Sequence, residues 1–156
     1  MEQEPILNAH NKDEYPLMHT AEHILNQTMV RIFGCPRSRN AHIEKKKSKC
    51  DYQLASCPTE EQVQELERRV NEVIAQGLTV SYEFVKRDEV PPEVDLGKLP
   101  DDASETLRLA RIGDYDLCAC VGTHVQNTAE IGQFKIISHD WNEETGTWRM
   151  RFKLVE

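Results

Sequence analysis

The sequence predicts an α+β domain in which a compact, mainly antiparallel sheet packs with two long helices. Two observations carry this. Residues 16–33 and 60–76 repeat apolar side chains at helical spacing, and the segments between and after them alternate apolar with polar residues between turn signals. At 156 residues the chain is sized for one domain, 1–156 with a core of about 15–155, and leaves little room for a second catalytic module.

After a polar lead the first helix is expected to begin at Pro16 or Leu17 and to run to Phe33. Its apolar face would be built from Leu17, Ala21, Ile24, Leu25 and Thr28, and Gly34-Cys35-Pro36 would end it. Residues 39–45 and 49–55 read as antiparallel strands around a lysine-rich turn, because Ala41 and Ile43, then Tyr52 and Leu54, alternate with polar positions. Thr59 caps a second helix, with Glu61 or Gln62 satisfying its first turn. Val63, Leu66, Val70, Val73 and Ile74 form that helix's buried stripe until Gly77 closes it. Residues 78–85 read as a strand. The prolines 91, 92 and 100 with Gly97 mark a loop, and 107–112 with 115–119 form a hairpin about Gly113-Asp114. Strands at 132–138 and 147–154 complete the set.

Formal charge is −8, which excludes a general nucleic-acid coat but leaves room for local recognition. Basic residues gather at Arg31, Arg37, Arg39, Lys45, Lys46, Lys47 and Lys49, apart from the acidic excess at residues 60–67 and 88–102. That separation permits a phosphate-facing patch, and an ordinary solvated hairpin is its alternative. No apolar stretch is long enough to span a bilayer, and the start lacks a basic region before an apolar one, so a cytoplasmic protein is expected. Five cysteines, an odd number without framework spacing, fit a reducing compartment.

The chemistry concentrates in two short motifs. His19-Thr-Ala-Glu-His23 sets two imidazoles at i and i+4 on one helix face, where both reach a single ion. About a hundred residues later, Cys120-Val-Gly-Thr-His124 offers a thiol and a third imidazole, the remaining two donors of a four-ligand set. A fold that joins them makes a one-cysteine, three-histidine zinc site. Otherwise these are helix-surface histidines and a core cysteine. Cys118 is a neighbour on the same strand face and an alternative thiolate. Glu22 precedes the second histidine, whereas the metalloprotease order puts glutamate directly after the first, so Glu22 is assigned to solvent or to a supporting role.

The frame around these ligands carries a resemblance. Residues 19–25, His-Thr-Ala-Glu-His-Ile-Leu, and 120–132, Cys-Val-Gly-Thr-His-Val-Gln-Asn-Thr-Ala-Glu-Ile-Gly, resemble the two motifs of the second additional domain of alanyl- and threonyl-tRNA synthetases. Cys50-Asp51-Tyr52, Val70-Asn71, Gly132 to Ile137, and Arg149 with Arg151 follow in order, so the whole chain is similar to the small, free-standing alanyl-tRNA editing proteins called AlaX. The resemblance implies the editing-domain fold, a Zn2+ held by His19, His23, Cys120 and His124, and Thr20 and Asp51 beside the substrate as catalytic residues. Two departures bear on substrate choice: Val121 stands where a glycine is common, and Cys50-Asp51-Tyr52 replaces an Arg-Phe-Asp pattern.

The activity implied is trans-editing: hydrolysis of the ester in mischarged seryl-tRNA(Ala), and of glycyl-tRNA(Ala) to a lesser degree. A synthetase pocket built for alanine cannot exclude glycine by size and discriminates imperfectly against serine, so a second sieve is needed. Phosphate contacts would come from Arg37, Arg39, Lys45, Lys46, Lys47 and Lys49, with a synthetase as a further candidate partner. The alternatives are a non-catalytic structural-zinc module that binds tRNA or a synthetase, and an editing domain for seryl-tRNA(Thr). Gly-Thr-His at 122–124, rather than Gly-Pro-His, favours the alanine branch.

Overall fold

A computed structural model describes residues 15–38, 40–44, 46–86, 89, 106–120 and 123–155. The expectations for the polar lead, the proline-rich loop, Arg39, Lys45, Val121 and Gly122 lie outside these residues. Helix α1 spans Pro16–Phe33, with proline in its first turn and Gly34 at φ +66° donating its N–H to Val30 O at 2.9 Å. Both ends match the sequence signals: proline is tolerated where the helix N–H groups are unpartnered, and glycine enters the left-handed region without a Cβ penalty.

The hairpin β1 (Asn40–His42) and β2 (Ser48–Gln53) leads to α2 (Glu60–Ala75). Thr59 and Gln62 close a reciprocal capping box at its start, worth about 1 kcal/mol. Val63, Leu66, Val70, Val73 and Ile74 are buried on one stripe as expected. Strands β3 (Val80–Lys86), β4 (Thr106–Ile112) and β5 (Asp116–Ala119) follow, then a 3-10 turn at Thr128–Ile131, then β6 (Gln133–Asn142) and β7 (Thr147–Val155).

These strands form two antiparallel sheets, β1-β2-β7-β6 and β3-β4-β5. Trp148, Met150 and Phe152 of β7 alternate inward with Cys50 and Tyr52 of β2, and join the inner residues of both helices in one core. β6 lies at the sheet edge, where unpaired backbone groups need partners. α2 supplies them: Asn71 accepts from Phe134 N–H and donates to Phe134 O, and Glu67 accepts from Ile136 N–H at 2.7 Å.

Four expectations are corrected. Leu17 is 42% exposed rather than part of the apolar face, while Glu22 is 3% exposed and 4.0 Å from His19 Nε2, which removes its solvent reading and leaves the supporting one. The reason is that α1 is buried almost all round, from Met18 to Asn26 without a break. Arg37 is withdrawn from the basic surface as well. Its side chain is 11% exposed and its guanidinium is bound to Asp116 at 2.7 and 3.3 Å. The strand expected at 132–138 continues to Asn142, because β7 pairs with its backbone throughout, past an irregularity between Ile136 and Ser138.

Candidate metal centre

A helix buried on nearly all sides has to satisfy its polar side chains internally, and α1 buries His19, Thr20, Glu22, His23, Asn26 and Thr28. Asn26 accepts from Tyr52 OH at 2.6 Å and from Ser38 N–H. Thr28 donates to Ile24 O at 2.7 Å and shares a 2.5 Å contact with Tyr115 OH. The two histidines meet the end of β5. The ligating atoms of His19, His23, Cys120 and His124 all lie within 4.8 Å of one another. Tetrahedral zinc with bonds of about 2.0–2.3 Å needs donors roughly 3.3–3.7 Å apart. Cys120 Sγ and His19 Nε2 are 3.3 Å apart.

Each ring is turned by a partner on its far side. His19 Nδ1 donates to Thr123 O at 3.1 Å, which leaves Nε2 facing Cys120. His124 Nδ1 lies 3.0 Å from Thr20 Oγ1, and Thr20 Oγ1 also accepts from Val125 N–H at 3.1 Å. With that nitrogen engaged, His124 Nε2 is buried with no hydrogen-bond partner, the state of a donor whose lone pair awaits a cation. His23 Nδ1 stands 3.5 Å from Asp116 Oδ2, an ion-pair separation, and Arg37 holds the same carboxylate. Thus Arg37, Asp116 and His23 form a chain that ends at the cluster, the arrangement that fixes a ligating imidazole.

The segment carrying His124 has no regular structure and is held by hydrogen bonds. Cys120 N–H donates to Arg108 O, extending the β4–β5 ladder by one bond, and the side-chain Nε of Arg108 donates to Cys120 O. His124 N–H donates to Tyr82 OH at 3.1 Å. Farther on, Val80 N–H reaches Gln126 O, Asn127 Nδ2 reaches Gly77 O, and Thr128 Oγ1 bonds Val73 O, Ile74 O and Leu78 N–H. The start of β3 and the end of α2 therefore set where the fourth donor stands.

The electrostatics favour a cation. Burial opposes the Cys120 thiolate, but the charge of His23 and the closeness of the three imidazoles overcome it and hold the thiol well below its ordinary value. Burial likewise opposes charge on His23, which the Cys120 thiolate and Asp116 override, raising it. Burial pushes His124 down to about 4, aided by the charges of His23 and His19 against the pull of Cys120. The result is a neutral His124 imidazole and a Cys120 thiolate paired with the proton on His23, a proton that a metal ion would displace. Asp116 stays below the usual carboxylate range although burial opposes this, because His23 and Arg37 both favour its charge. One thiolate and three imidazoles suit zinc and are a poor match for magnesium or calcium. The cluster can hold a metal ion.

Of the other expected site residues, Thr20 is brought to the cluster, fully buried, on His124. Asp51 is not. It lies on the face of the four-stranded sheet opposite Cys50 and Tyr52, bound to Arg149 at 2.8 and 3.0 Å and to Asn40 at 2.8 Å. An open cleft of about 850 Å³ on that face is lined by Asp51, Asp140, Glu143 and Glu144 against Arg149, an acidic rim unsuited to phosphate. Cys118 stays outside the donor group, one residue pair from Cys120 on β5, and burial pushes its thiol up. Lys46 and Lys47 are exposed and Lys49 is half-buried. Sequence reasoning missed the supporting roles of Asp116, Arg37, Arg108 and Tyr82; Arg37 meets Asp116 across 79 residues and Tyr82 meets His124 across 42, contacts that no local pattern marks.

Comparison with known proteins agrees with this geometry. The family described as "Threonyl and Alanyl tRNA synthetase second additional domain" matches residues 107–151, which include Cys120 and His124. The alanine–tRNA ligase of Thermoanaerobacter sp. (strain X514) is 34% identical over 121 residues, 77% of this chain and 14% of the ligase. That of Oceanobacillus iheyensis is 33% identical over 129 residues, 82% of this chain and 14% of the ligase. The Bacillus subtilis ligase is 31% identical over 121 residues. The chain spans about one seventh of the length of these relatives. Residues 107–151 thus match the second additional domain of threonyl- and alanyl-tRNA synthetases, and the chain is related over 77–82% of its length to alanine–tRNA ligases.

Proposed function

We propose that this chain is a zinc-dependent aminoacyl-tRNA deacylase that removes serine from mischarged seryl-tRNA(Ala) and, less efficiently, glycine from glycyl-tRNA(Ala). The observation that carries the reading is the convergence of His19, His23, Cys120 and His124, with the lone pair of His124 Nε2 unspent, in a domain related to that of alanyl-tRNA synthetases. A bound Zn2+ would supply Lewis acidity and a fixed point of attachment for the 3′ end of the substrate. The protein's own part is orientation. Thr20 holds His124, Thr123 holds His19, and Asp116 backed by Arg37 holds His23, so the donors need little rearrangement when the ion binds. In this reading Thr20 is a positioning residue acting through His124. The exposed Lys46 and Lys47 remain available for phosphate contacts, and the role extends over residues 15–155 as one editing domain.

A second reading is a non-catalytic zinc module that binds tRNA or a synthetase. One observation favours it: four protein donors fill a tetrahedral shell. Release of serine from purified seryl-tRNA(Ala), beside glycyl-tRNA(Ala), alanyl-tRNA(Ala) and seryl-tRNA(Thr), separates the two. Selective cleavage of the first establishes the deacylase and its branch. A folded, zinc-loaded protein that binds the RNA and cleaves none of the four is the module.

A further inference from the structure

The three-stranded sheet has one face that runs from the core, past the metal centre, to solvent. Cross-strand registers define its rows: Val80, Ile112 and Asp116 lie deepest, then Tyr82, Ala110 and Cys118, then Phe84, Arg108 and Cys120, then Lys86 and Thr106. The backbone bond from Cys120 N–H to Arg108 O puts the last pair of the third row in register. Residues directly opposite one another in such rows share a face, so Cys120 is flanked by Arg108 and Phe84 on its own row and by Tyr82 one row in.

Along this face Tyr82 is 40% exposed and Phe84 39% exposed. The strands do not lack a core for such rings, because Leu107, Leu109 and Ala119 on the opposite face are buried. Arg108 lays its guanidinium on the Tyr82 ring at 4.4 Å. The Tyr82 ring centroid is 6.2 Å from that of His124, and its hydroxyl accepts from His124 N–H. The ring is therefore tied to a metal ligand, with a cation beside it and a second open ring one residue pair outward. Lys86, exposed in the outermost row, continues the positive charge on a protein whose net charge is −8.

We infer that Tyr82, Phe84 and Lys86 form a ledge that binds the 3′-terminal nucleotides of a single-stranded RNA end, bases stacked on the two rings and a phosphate beside Lys86, with Arg108 holding the Tyr82 ring and Cys120 in place. This rests on the reading of the cluster as an aminoacyl-RNA site. Aromatic faces with interleaved cations are the chemistry by which proteins hold unpaired bases without reading their sequence. The dimensions suit it. With strands about 4.8 Å apart, the backbone of Phe84 stands about 10 Å from that of Cys120, the scale of one nucleoside between its base and an ester on its ribose. Arg108 is doubly placed, since it both stacks on Tyr82 and secures Cys120 O.

The test uses a non-acylated RNA hairpin with a four-nucleotide single-stranded 3′ end carrying 2-aminopurine at its last position, titrated with zinc-loaded protein. The wild type is expected to quench the fluorophore. Phe84→Leu, which keeps the apolar bulk and removes the ring, should weaken binding roughly tenfold, as should Phe84→Ala. Lys86→Ala should flatten the salt dependence by about one phosphate contact. A blunt-ended hairpin should show no dependence on Phe84. Quenching and affinity unchanged in both Phe84 variants, with circular dichroism showing them folded, would overturn the ledge. Because the probe carries no ester, the result is independent of catalysis. Ring-dependent stacking without deacylation of any aminoacyl-tRNA sinks the hydrolase reading and keeps the ledge, while deacylation with a KM indifferent to Phe84→Leu sinks the ledge alone.

Discussion

The two halves of the metal cluster are held by opposite means. His19 and His23 stand on one face of α1 because 3.6 residues make a turn, and nothing beyond the helix is needed to set their spacing. Cys120 and His124 come from a strand end and an irregular segment, and each depends on other elements: Cys120 on Arg108 of the neighbouring strand, and His124 on Tyr82 and Thr20, 42 and 104 residues away. A helix supplies donor spacing locally, whereas a loop borrows it from the tertiary fold. Variants on the loop side should therefore disturb the metal site through many residues, and variants on the helix side through few.

The largest effect is expected from Cys120→Ala, which removes the only thiolate of the donor set. Metal affinity should fall by more than roughly 100-fold, beyond the 10–100-fold typical of a lost supporting group, as read by competition with a chromophoric chelator. Unchanged stoichiometry and affinity would remove Cys120 from the site. Next is Asp116→Ala, which strands the buried Arg37 guanidinium and unfastens His23. Breaking a buried ion pair on one side costs about 3–5 kcal/mol, so urea unfolding should show that loss together with weaker metal binding. Full stability would contradict the burial of the pair.

Thr20→Val and Thr28→Val sharpen the comparison, since both are buried threonines on α1 with different partners. Thr20 serves His124 and Val125, while Thr28 serves Ile24 and Tyr115. Each loss should destabilise the fold by about 1–3 kcal/mol. Only Thr20→Val should also weaken metal binding, by about tenfold. Equal metal affinities in the two variants would show that the orientation of His124 does not pass through Thr20.

The smallest effect lies on the outer sheet face. The hydrogen bond from Arg149 holds the Asp51 carboxyl below the usual range, with burial opposing and the charge of Arg149 adding to it. A lowered folded-state value means that Asp51 contributes stability above its unfolded value of about 3.9, and that the contribution is lost as pH falls through the folded value. Asp51→Asn should leave metal binding unchanged and make the decline in stability below about pH 4 slightly shallower, measured by urea unfolding at stepped pH. A loss of metal from Asp51→Asn would tie that face to the cluster after all.

How much was legible in the sequence follows the same division. Helix α1 with its glycine stop, the capping box of α2, and the His19–His23 pair are local patterns, and the residues themselves state them. The relation of Arg37 to Asp116 across 79 residues has no local signature, so Arg37 read as one more surface cation. Leu17 was read onto the apolar face and solvent was kept open for Glu22 because amphipathic patterning assumes one solvent face, and α1 has almost none. The end of β6 was missed because Ser138, His139 and Asp140 are polar, yet an edge strand with an open outer face accepts them while β7 pairs their backbone. Asp51 matched a family motif by position, and alternation along β2 turns it to the outer face.

The central claim is that two unlike segments place four donors on one ion. X-ray absorption at the zinc edge of the purified, zinc-loaded protein reads this most directly. The account predicts one sulfur at about 2.3 Å and three nitrogens at about 2.0–2.1 Å, with the sulfur lost in Cys120→Ala. A shell without sulfur, or one holding two sulfurs, would contradict it.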